Sequence, residues 1–462
     1  MTGQLDADAV VLTSRFAPER DGGYAVAVLS RLLTLRSAGA RHPLLLTLDV
    51  GSSGDRERAV AYAHAHGVPA GSFTMRNLFD EAVRDPSWLR ARALPGGRTP
   101  GVAYREVRDD RGALVVSLPV IADAAWHLSE ANVVVHGGAG DRVLPGFAAL
   151  YVAWLSHVAD GLRDAAGDAE RRLVVICESR QVGETLDRWR DPRVRIVHTV
   201  HNSHLAHPFD ASAPVRDEGW RRWLDALDGF DLVLWPTRAQ ACEVDGRFPH
   251  RVRFATVPSA ILPRHTRRVP SRRHDDVVVM ACRLVEQKRV DLAILAWEEV
   301  VRSRPGARLE VYGDGPLREH LRAMIRERGL DEAIRLRGHD DDVRAAMAKA
   351  RVFLSTSAFE GQGLAIVEAL SAGVPVVSTD VRYGPAEVIG DGGILVPAGD
   401  VAGIAAAVVS LLDDDARWTR TSERARRSAA RFIPETVGAQ LRRELEATLA
   451  EPATRLCALA DS

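Results

Sequence analysis

Short apolar runs alternate with segments of helical periodicity along both halves of the chain. In the amino-terminal half, an apolar run at Ala9–Leu12 precedes a helical pattern from about Tyr24 to Ser37, and a second apolar run follows at Pro43–Leu48. This strand–helix–strand order predicts a parallel sheet. The later strands predicted in this half are Val133–His136, Leu173–Cys177, Val194–Val200 and Leu232–Leu234.

The carboxyl-terminal half shows the same alternation. The strands predicted there lie near residues 277–281, 308–312, 334–337, 351–355, 374–378 and 393–396, and a last helical stretch at roughly 436–449 follows Pro434. In the amino-terminal half, two further alternating runs at Val102–Val107 and Ala113–Leu118 flank Asp109–Gly112. Their pattern predicts a hairpin, residues 102–118, inserted into the first sheet.

The length of the chain and one irregular segment indicate where the domains begin and end. A chain of 462 residues exceeds one hydrophobic core and indicates two or three domains. The segment LPRHTRRVPSRRH has two prolines, five arginines and no apolar period, so it is interpreted as a linker. The predicted organisation is a first domain at 1–262, a linker at 263–274, a second domain at 275–433 and a terminal helical segment at 434–462. The predicted fold class is α/β, with two Rossmann-like domains that face each other across a cleft.

Charge and cysteine content exclude several classes of protein. The formal net charge is −1 and the pI is about 7.0, so no overall field recruits nucleic acid. The four cysteines are dispersed and lack C-x-x-C or metal-ligand spacing, which is typical of a reduced cytoplasmic protein. The start MTGQLDADAV is acidic and does not resemble a signal peptide. No apolar run approaches the roughly 18 residues of a membrane-spanning helix.

The segment 355–397 contains the strongest functional signal. Glu360 and Glu368 flank a glycine-rich turn, Gly361–Gly363, between a predicted strand and an apolar helix. Ligands of open α/β sheets bind at the carboxyl ends of strands, and the first amides of a helix attract phosphate. Carboxylates add acceptors for hydroxyl groups, so the combination indicates a nucleotide-sugar site. The spacing alone equally fits a packing turn with two solvated glutamates.

Lysine occurs only at Lys288 and Lys349 among the 61 lysine and arginine residues. Lys288 follows the predicted strand Val277–Ala281 and comes shortly after Arg283. A compact ammonium and a planar guanidinium are not interchangeable at a tight phosphate site, so a lysine here favours contact with a diphosphate. An ordinary surface lysine is the alternative. Lys349 is interpreted as a helix-end cation.

These motifs resemble those of the retaining GT-B glycosyltransferases of the family 4 type. Their signature is EGxG…E, and this sequence matches it from Glu360 to Glu368. The segment RYGPAEVIGDGGILVP, residues 382–397, is similar to one in poly(glycerol-phosphate) glucosyltransferases and serine-rich adhesin glycosyltransferases. The resemblance covers roughly residues 275–435. It implies a GT-B fold, a UDP-sugar donor, retention at the anomeric carbon, and a terminal helix that crosses back to the first domain.

The resemblance also implies roles for single residues. Arg283 and Lys288 would neutralise the departing diphosphate, while Glu360 would bind sugar hydroxyls and Glu368 the ribose hydroxyls. The other predicted donor contacts are His201, Gly361, Gln362, Gly363 and Leu364, with Gly338 near the nucleobase. Gly22 and Gly23 are predicted to lie near the donor phosphates and the acceptor, although a plain turn explains these two glycines equally well. Front-face attack assisted by the leaving phosphate needs no side-chain nucleophile, so Glu360 is not assigned as one. Gln362 departs from the apolar or aromatic residue that relatives often carry, which leaves the sugar preference open.

His198, His201 and His204 recur at every third residue across a strand end. They cannot share one face of a regular strand, so their spacing does not predict a metal site. His201 matches the histidine that retaining relatives place beside the donor sugar; an ordinary core or surface histidine is the alternative. Glu178 ends another predicted strand, and nothing in the sequence distinguishes it from an exposed carboxylate.

Asp-x-Asp motifs, which often hold a metal ion in nucleotide-sugar transferases, occur at Asp6/Asp8, Asp340–Asp342 and Asp413–Asp415. None follows a strand in a position to meet the diphosphate. Arg283 and Lys288 would supply the neutralising charge instead. No metal or other cofactor is therefore expected.

The predicted function is transfer of a hexose, Glc or GlcNAc, from a UDP-sugar to a hydroxyl acceptor. The implied acceptor is a polyol-phosphate polymer or a Ser-rich protein, and the arginines of 264–273 and 417–431 are candidate contacts for an anionic chain or a solvated basic face. A UDP-sugar epimerase of the same architecture and a non-catalytic partner subunit of a glycosyltransferase pair are alternatives. Nucleic acid is not expected as a partner. Oligomer formation and peripheral membrane association stay open, and the expected location is cytoplasmic.

Overall fold

The computed structural model describes residues 3–17, 22–51, 53–138, 140–262, 274–340 and 343–457. Within these residues the chain forms two parallel sheets and one antiparallel sheet. Helices cover the parallel sheets, as expected for an α/β protein. Every helix in the described part of the chain is too short or too polar to cross a membrane.

The first parallel sheet belongs to the amino-terminal domain. Its strands in spatial order are Arg253–Thr256, Leu232–Trp235, Val194–Thr199, Leu173–Cys177, Asp8–Thr13, Leu44–Thr47 and Thr74–Asn77. Its helices are Gly23–Ser37, Ser53–Ala65, Leu78–Arg84, Ser87–Arg92, Gly146–Ala166, Arg180–Thr185, Glu218–Asp225 and Arg238–Arg247, with short 3-10 turns at Trp126–Leu128, Leu186–Arg188 and Leu227–Gly229. The predicted inner strands are confirmed, whereas the two edge strands carry polar residues and had no apolar signal.

The predicted hairpin pairs as expected but does not lie in the parallel sheet. Strands Tyr104–Arg108 and Leu114–Pro119 are antiparallel neighbours in a separate five-stranded sheet. This sheet continues through Val133–Val135, Arg142–Leu144 and Leu94–Pro95. The prediction of an insertion into the first sheet was therefore wrong. The hairpin connection at residues 109–113 is too short for a parallel crossover, so its strands pair antiparallel, and the five-stranded sheet packs on the helix Gly146–Ala166 instead.

The second parallel sheet contains the six strands predicted for the carboxyl-terminal half. In spatial order they are Ile334–Gly338, Arg308–Tyr312, His274–Ala281, Ala350–Ser355, Val376–Asp380 and Gly393–Pro397. Its helices are Val290–Ser303, Arg318–Glu327, Val343–Lys349, Leu364–Ser371, Gly384–Ile389, Val401–Asp413 and Asp415–Ala429, with 3-10 turns at Glu286–Lys288 and Ala430–Phe432. Because all strands are parallel, their carboxyl ends meet at one edge and bring the loops that follow them together.

The chain ends on the first domain. The helix Pro434–Ala450 packs against the helix Gly23–Ser37. Val437, Leu441 and Leu445, spaced one helical turn apart, are fully buried in the core of the first domain. A short helix at Thr454–Cys457 follows. Of the predicted linker, residues 263–273 lie outside the described residues, and His274 begins the strand His274–Ala281.

Candidate functional site

Two loops of the second domain meet at the carboxyl ends of neighbouring strands. The loop after His274–Ala281 carries Lys288, and the loop after Ala350–Ser355 carries Glu360. Thr356 joins the loops, because its hydroxyl Oγ1 donates to the backbone carbonyls of Lys288 at 3.1 Å and Arg289 at 2.8 Å. This contact fixes the relative position of the two predicted site residues.

Lys288 and Glu360 form a direct ion pair. The Lys288 Nζ atom donates to Glu360 Oε1 at 2.6 Å, and the Ser357 hydroxyl donates to the same oxygen at 2.7 Å. The lysine side chain is 20% exposed and the glutamate side chain 11%. The solvated-glutamate alternative therefore does not fit Glu360, whose charge is held in a fixed, mostly buried position.

Arg283 follows the same strand as Lys288. It is exposed and forms no ion pair with any described residue. The turn that holds it is packed tightly, since a Cβ atom on Gly313 would lie 1.9 Å from the Cys282 carbonyl oxygen. Gly313 in turn donates its N–H to the Gly338 carbonyl at 2.7 Å. Gly338 thus belongs to the neighbouring strand end, not to the Lys288–Glu360 contact.

Glu368 has a different cationic partner from Glu360. It lies on the helix Leu364–Ser371, which begins after Gly363, and Arg344 Nε donates to Glu368 Oε1 at 2.9 Å. Arg344 also donates to the Leu262 carbonyl at 2.9 Å. Glu360 and Glu368 therefore lie at different places in the site, and each is paired with a different cation. Arg344, which the sequence did not single out, had no motif to distinguish it among the many arginines.

The glycine turn touches the first domain. Gly361 approaches so closely that a Cβ atom would lie 2.3 Å from the carbonyl oxygen of His201. Gln362 is buried, accepting the Ser259 N–H at 2.7 Å and donating to the Ser259 carbonyl at 2.9 Å. The side chain of Gln362 thus fastens the two domains in this structure. Leu364 is the half-buried first residue of the following helix.

A second set of contacts joins the domains next to this turn. Tyr383 donates its hydroxyl to Glu243 Oε1 of the first domain at 2.9 Å. Glu387 accepts the backbone N–H groups of Arg238 at 2.9 Å and Ala239 at 2.6 Å, at the start of the helix Arg238–Arg247. A carboxylate is stabilised there by the positive end of the helix dipole. The segment 382–397, which contains Tyr383 and Glu387, therefore joins the second domain to the first.

His201 lies on the first-domain side of the junction between the two domains, next to Gly361. Its Nε2 atom is 2.6 Å from Glu178 Oε2, and the ring of Tyr24 meets it edge-on with centroids 5.2 Å apart. Arg31 Nε donates to the other oxygen of Glu178 at 3.2 Å. Burial alone would raise the pKa of Glu178, but His201 and Arg31 outweigh it and lower that pKa. Glu178 is only 3% exposed, so it is a buried member of the site that the sequence did not distinguish.

The neighbouring histidines point elsewhere. Burial lowers the pKa of His198 to about 3 and that of His204 to about 4, so both are neutral near pH 7. His198 packs on the rings of Trp223 and Phe230 in the core. His204 is also buried, and its ring stacks on Tyr383 of the second domain with centroids 6.1 Å apart, so His201 and His204 both reach the contact between the domains. The core alternative therefore fits His198, but not His201.

Gly22 and Gly23 are exposed at the start of the helix Gly23–Ser37. Gly22 has φ +43°, a conformation that favours glycine, and nothing lies within 4 Å of an added Cβ atom at either position. Tyr24, the next residue, contacts His201. The two glycines are thus near the junction, while Asp21 lies outside the described residues.

A cavity of about 970 Å³ opens beside His201 within the first domain. It lies between the carboxyl ends of the parallel strands and the antiparallel sheet, and Glu178 and Tyr24 form part of its wall. Its aromatic wall consists of Phe79, Trp126, Phe147, Tyr151 and Trp220. A cavity of this size, with both aromatic and charged residues in its wall, can hold a second substrate next to His201.

No cluster of three or more His, Cys, Asp or Glu side chains that could hold a metal ion is found among the described residues. Of the Asp-x-Asp motifs, Asp341 and Asp342 lie outside those residues. Asp413 and Asp415 form ion pairs with Arg304 and Arg351 instead. Metal independence stays a prediction.

Residues 275–414 match the family model for glycosyl transferases group 1. This range contains the loops of both Lys288 and Glu360, together with Arg283 and Glu368. The family match therefore covers the second-domain residues of the site. His201 and the other first-domain residues lie outside the matched range.

Curated relatives match parts of the chain. An exopolysaccharide phosphotransferase of Streptomyces coelicolor is 36% identical over 188 residues, which are 40% of this chain and 20% of that protein. The poly(glycerol-phosphate) alpha-glucosyltransferase of Bacillus subtilis is 32% identical over 166 residues, 36% of this chain and 24% of that protein. The GtfA subunit of the UDP-N-acetylglucosamine–peptide N-acetylglucosaminyltransferase of Streptococcus gordonii is 31% identical over 212 residues, 44% of this chain and 40% of that protein. The chain thus spans less than half the length of these relatives.

Solved structures match almost the whole chain. TarM of S. aureus has a TM-score of 0.72 at 16% identity and covers 96% of this chain and 98% of its own. The pneumococcal O-GlcNAc transferase GtfA in complex with UDP and GlcNAc has a TM-score of 0.68 at 15% identity and covers 96% of this chain and all of its own. The likeness confirms the predicted two-domain fold. The chain therefore carries a glycosyl transferases group 1 domain within a GT-B fold.

Proposed function

We propose that the protein transfers a hexose, Glc or GlcNAc, from a UDP-sugar to a hydroxyl group of a polymeric acceptor, with retention at the anomeric carbon. The observation that carries the proposal is the contact between Lys288 Nζ and Glu360 Oε1 at 2.6 Å, with exposed Arg283 following the same strand as Lys288. It places two cations and one carboxylate at the carboxyl ends of parallel strands, where α/β proteins bind nucleotides.

The charges of this site suit the departure of a diphosphate. Breaking the glycosidic bond of a UDP-sugar leaves negative charge on the diphosphate, and fixed cations stabilise that charge as it develops. Arg283 offers a planar fork and Lys288 a compact ammonium. Glu360 and Glu368, each held by a cation of its own, offer acceptors for the hydroxyls of the sugar and the ribose.

The cavity of the first domain is the proposed acceptor site. It adjoins His201, whose carbonyl contacts the glycine turn of the donor domain. An acceptor lying there meets the donor sugar at the domain junction. In the retaining mechanism that the resemblance implies, the leaving phosphate receives the proton of the acceptor hydroxyl, so no protein nucleophile is needed.

The activities for which two relatives are named support a polymeric acceptor. One relative is a poly(glycerol-phosphate) alpha-glucosyltransferase and another is a subunit of a peptide N-acetylglucosaminyltransferase. A third relative is named an exopolysaccharide phosphotransferase. Because the chain spans only 20% of that protein and 24% of the glucosyltransferase, the proposal of hexosyl transfer rests on the Lys288–Glu360 contact and not on either name.

Donor turnover with defined acceptors tests the proposal. UDP-Glc, UDP-GlcNAc and UDP-Gal are incubated with a glycerol-phosphate oligomer or a Ser-rich peptide, UDP release is measured, and the product anomer is assigned by NMR. The expected result is acceptor-dependent UDP release with an α-linked product, unchanged by EDTA. Isomerised UDP-sugar without acceptor would identify an epimerase. Absence of UDP binding would identify a non-catalytic subunit, and restoration of activity by Mn²⁺ after EDTA would overturn metal independence.

A further inference from the structure

Two arginines of the cavity lack a carboxylate within hydrogen-bonding distance among the described residues. For Arg180, the Asp217 carboxylate is 3.9 Å from the guanidinium nitrogen Nη2. Among the residues that the structure describes, Arg216 donates only through Nε, to the Leu205 carbonyl at 3.4 Å, and its buried Nη2 atom has no hydrogen-bond partner. A buried guanidinium nitrogen without a partner is costly, so a ligand that accepts from it would be favoured.

Aromatic rings hold both guanidinium groups in place. The Arg180 guanidinium lies over the ring of Trp220 at 4.7 Å, and that of Arg216 lies over Phe359 at 4.6 Å. Stacking of this kind holds the planar fork in position without using its N–H donors. Phe359 precedes Glu360, so Arg216 stands where the cavity meets the donor domain.

The charge around these two arginines is not balanced. Burial lowers the pKa of both groups, Asp217 opposes that change, and the charge of Arg180 further lowers the pKa of Arg216. Asp217 is their shared acid, yet it also accepts the Trp220 N–H at 2.8 Å as the cap of a helix. Two desolvated cations that repel each other therefore share one partly engaged carboxylate, and Glu184, which also acts on Arg180, is paired with Arg222.

We propose that Arg180 and Arg216 bind a phosphodiester group of the acceptor, which makes the cavity selective for polyanionic acceptors. A phosphodiester has two unesterified oxygens, and a guanidinium fork makes charge-assisted hydrogen bonds to such oxygens. This inference rests on the proposed function, because it names the class of acceptor for the same site. It assigns the anion contact to the cavity itself, not to the arginines of 264–273 or 417–431.

Neutral substitutions test the assignment. Arg180→Gln and Arg216→Gln are compared with Arg180→Lys and Arg216→Lys, which keep the charge. Arg221→Gln is the control, because Arg221 lies on the adjacent helix with 60% of its side chain exposed. The apparent KM is measured for a glycerol-phosphate oligomer and for a neutral Ser-rich peptide, the Kd is measured for UDP, and circular dichroism reports folding.

The expected result is a KM for the oligomer raised at least about tenfold by either glutamine variant, and raised less by the lysine variants. The control should stay within about twofold, and the Kd of UDP should be the same in all variants. Equal effects on the oligomer and the peptide, or none on either, would overturn the phosphodiester assignment while UDP binding remained. A wild-type protein that failed to bind UDP would instead overturn the proposed function. A higher Kd for UDP in the glutamine variants would place the two arginines on the donor and also overturn the assignment.

Discussion

Lys288 and Lys349, the two lysines of the chain, lie in different surroundings and allow a matched test. Lys288 is held against Glu360 at the strand ends, whereas Lys349 is exposed at the end of the helix Val343–Lys349. Lys288→Ala should lower turnover of the UDP-sugar at least about tenfold, because the loss of one charge-assisted contact at a developing charge costs 1.4 kcal/mol or more. Lys349→Ala should stay within about twofold. Steady-state kinetics measures the turnover of both variants, and circular dichroism checks that they are folded to the same extent. Equal turnover of the two variants would mean that Lys288 does not contact the diphosphate.

Glu178 contributes stability in a pH-dependent way. Its folded pKa lies below the ordinary value of 4.5, so the stabilisation it gives is present above about pH 4.5 and is lost as the pH falls through the folded pKa. Glu178→Gln removes the charge that balances Arg31, whose side chain is 3% exposed, and should destabilise the protein by about 3 kcal/mol near pH 7.

Thermal unfolding at several pH values checks this expectation. The melting temperature of the wild type should fall more steeply below about pH 4.5 than that of Glu178→Gln. Glu170→Gln is the control, because Glu170 is exposed in the same domain. Parallel curves for wild type and Glu178→Gln would mean that the carboxylate of Glu178 is not held as the structure places it.

At the scale of elements, docking of the domains depends on a short helix of the second domain. Glu387 on Gly384–Ile389 accepts two backbone N–H groups at the start of Arg238–Arg247. Glu387→Gln weakens this contact by about 1 kcal/mol, so amides in the first turn of Arg238–Arg247 should exchange with solvent roughly fivefold faster. Hydrogen exchange measured by mass spectrometry tests this, with Glu423→Gln as an exposed control. Unchanged exchange would show that other contacts alone hold the interface.

The secondary-structure elements also show which parts of the fold could be predicted from the sequence pattern and which could not. The strand Leu173–Cys177 was predictable because a strand buried on both faces is a continuous apolar run. The antiparallel sheet was only half predictable, since Leu94–Pro95 and Arg142–Leu144 are too short to carry a period. The glycine turn was visible because its residues are adjacent. The pairing of Glu178 with Arg31, which are 147 positions apart, arises only from the fold.

At the scale of the whole molecule, the charged residues proposed for the donor, Lys288, Glu360 and Glu368, lie in the second domain, and the large cavity lies in the first. The formal net charge is only −1, so attraction of an anionic polymer depends on where the arginines are, not on their total. Arg180 and Arg216 line the cavity, and Asp217, the acid that acts on both of them, is partly engaged. The two substrates should therefore respond differently to ionic strength.

Acceptor and donor kinetics at low and high salt test that separation. The Debye length falls from about 10 Å at 0.1 M to about 3 Å at 1 M, so long-range attraction between the cavity and a glycerol-phosphate oligomer is lost. The apparent KM of the oligomer should rise steeply with salt. The KM of the UDP-sugar should change much less, because Lys288 and Glu360 hold their charges in contact and mostly buried. A neutral phenol is the control acceptor; if it proved the best acceptor and salt had no effect, the polymeric acceptor would be wrong, and the donor site would stand.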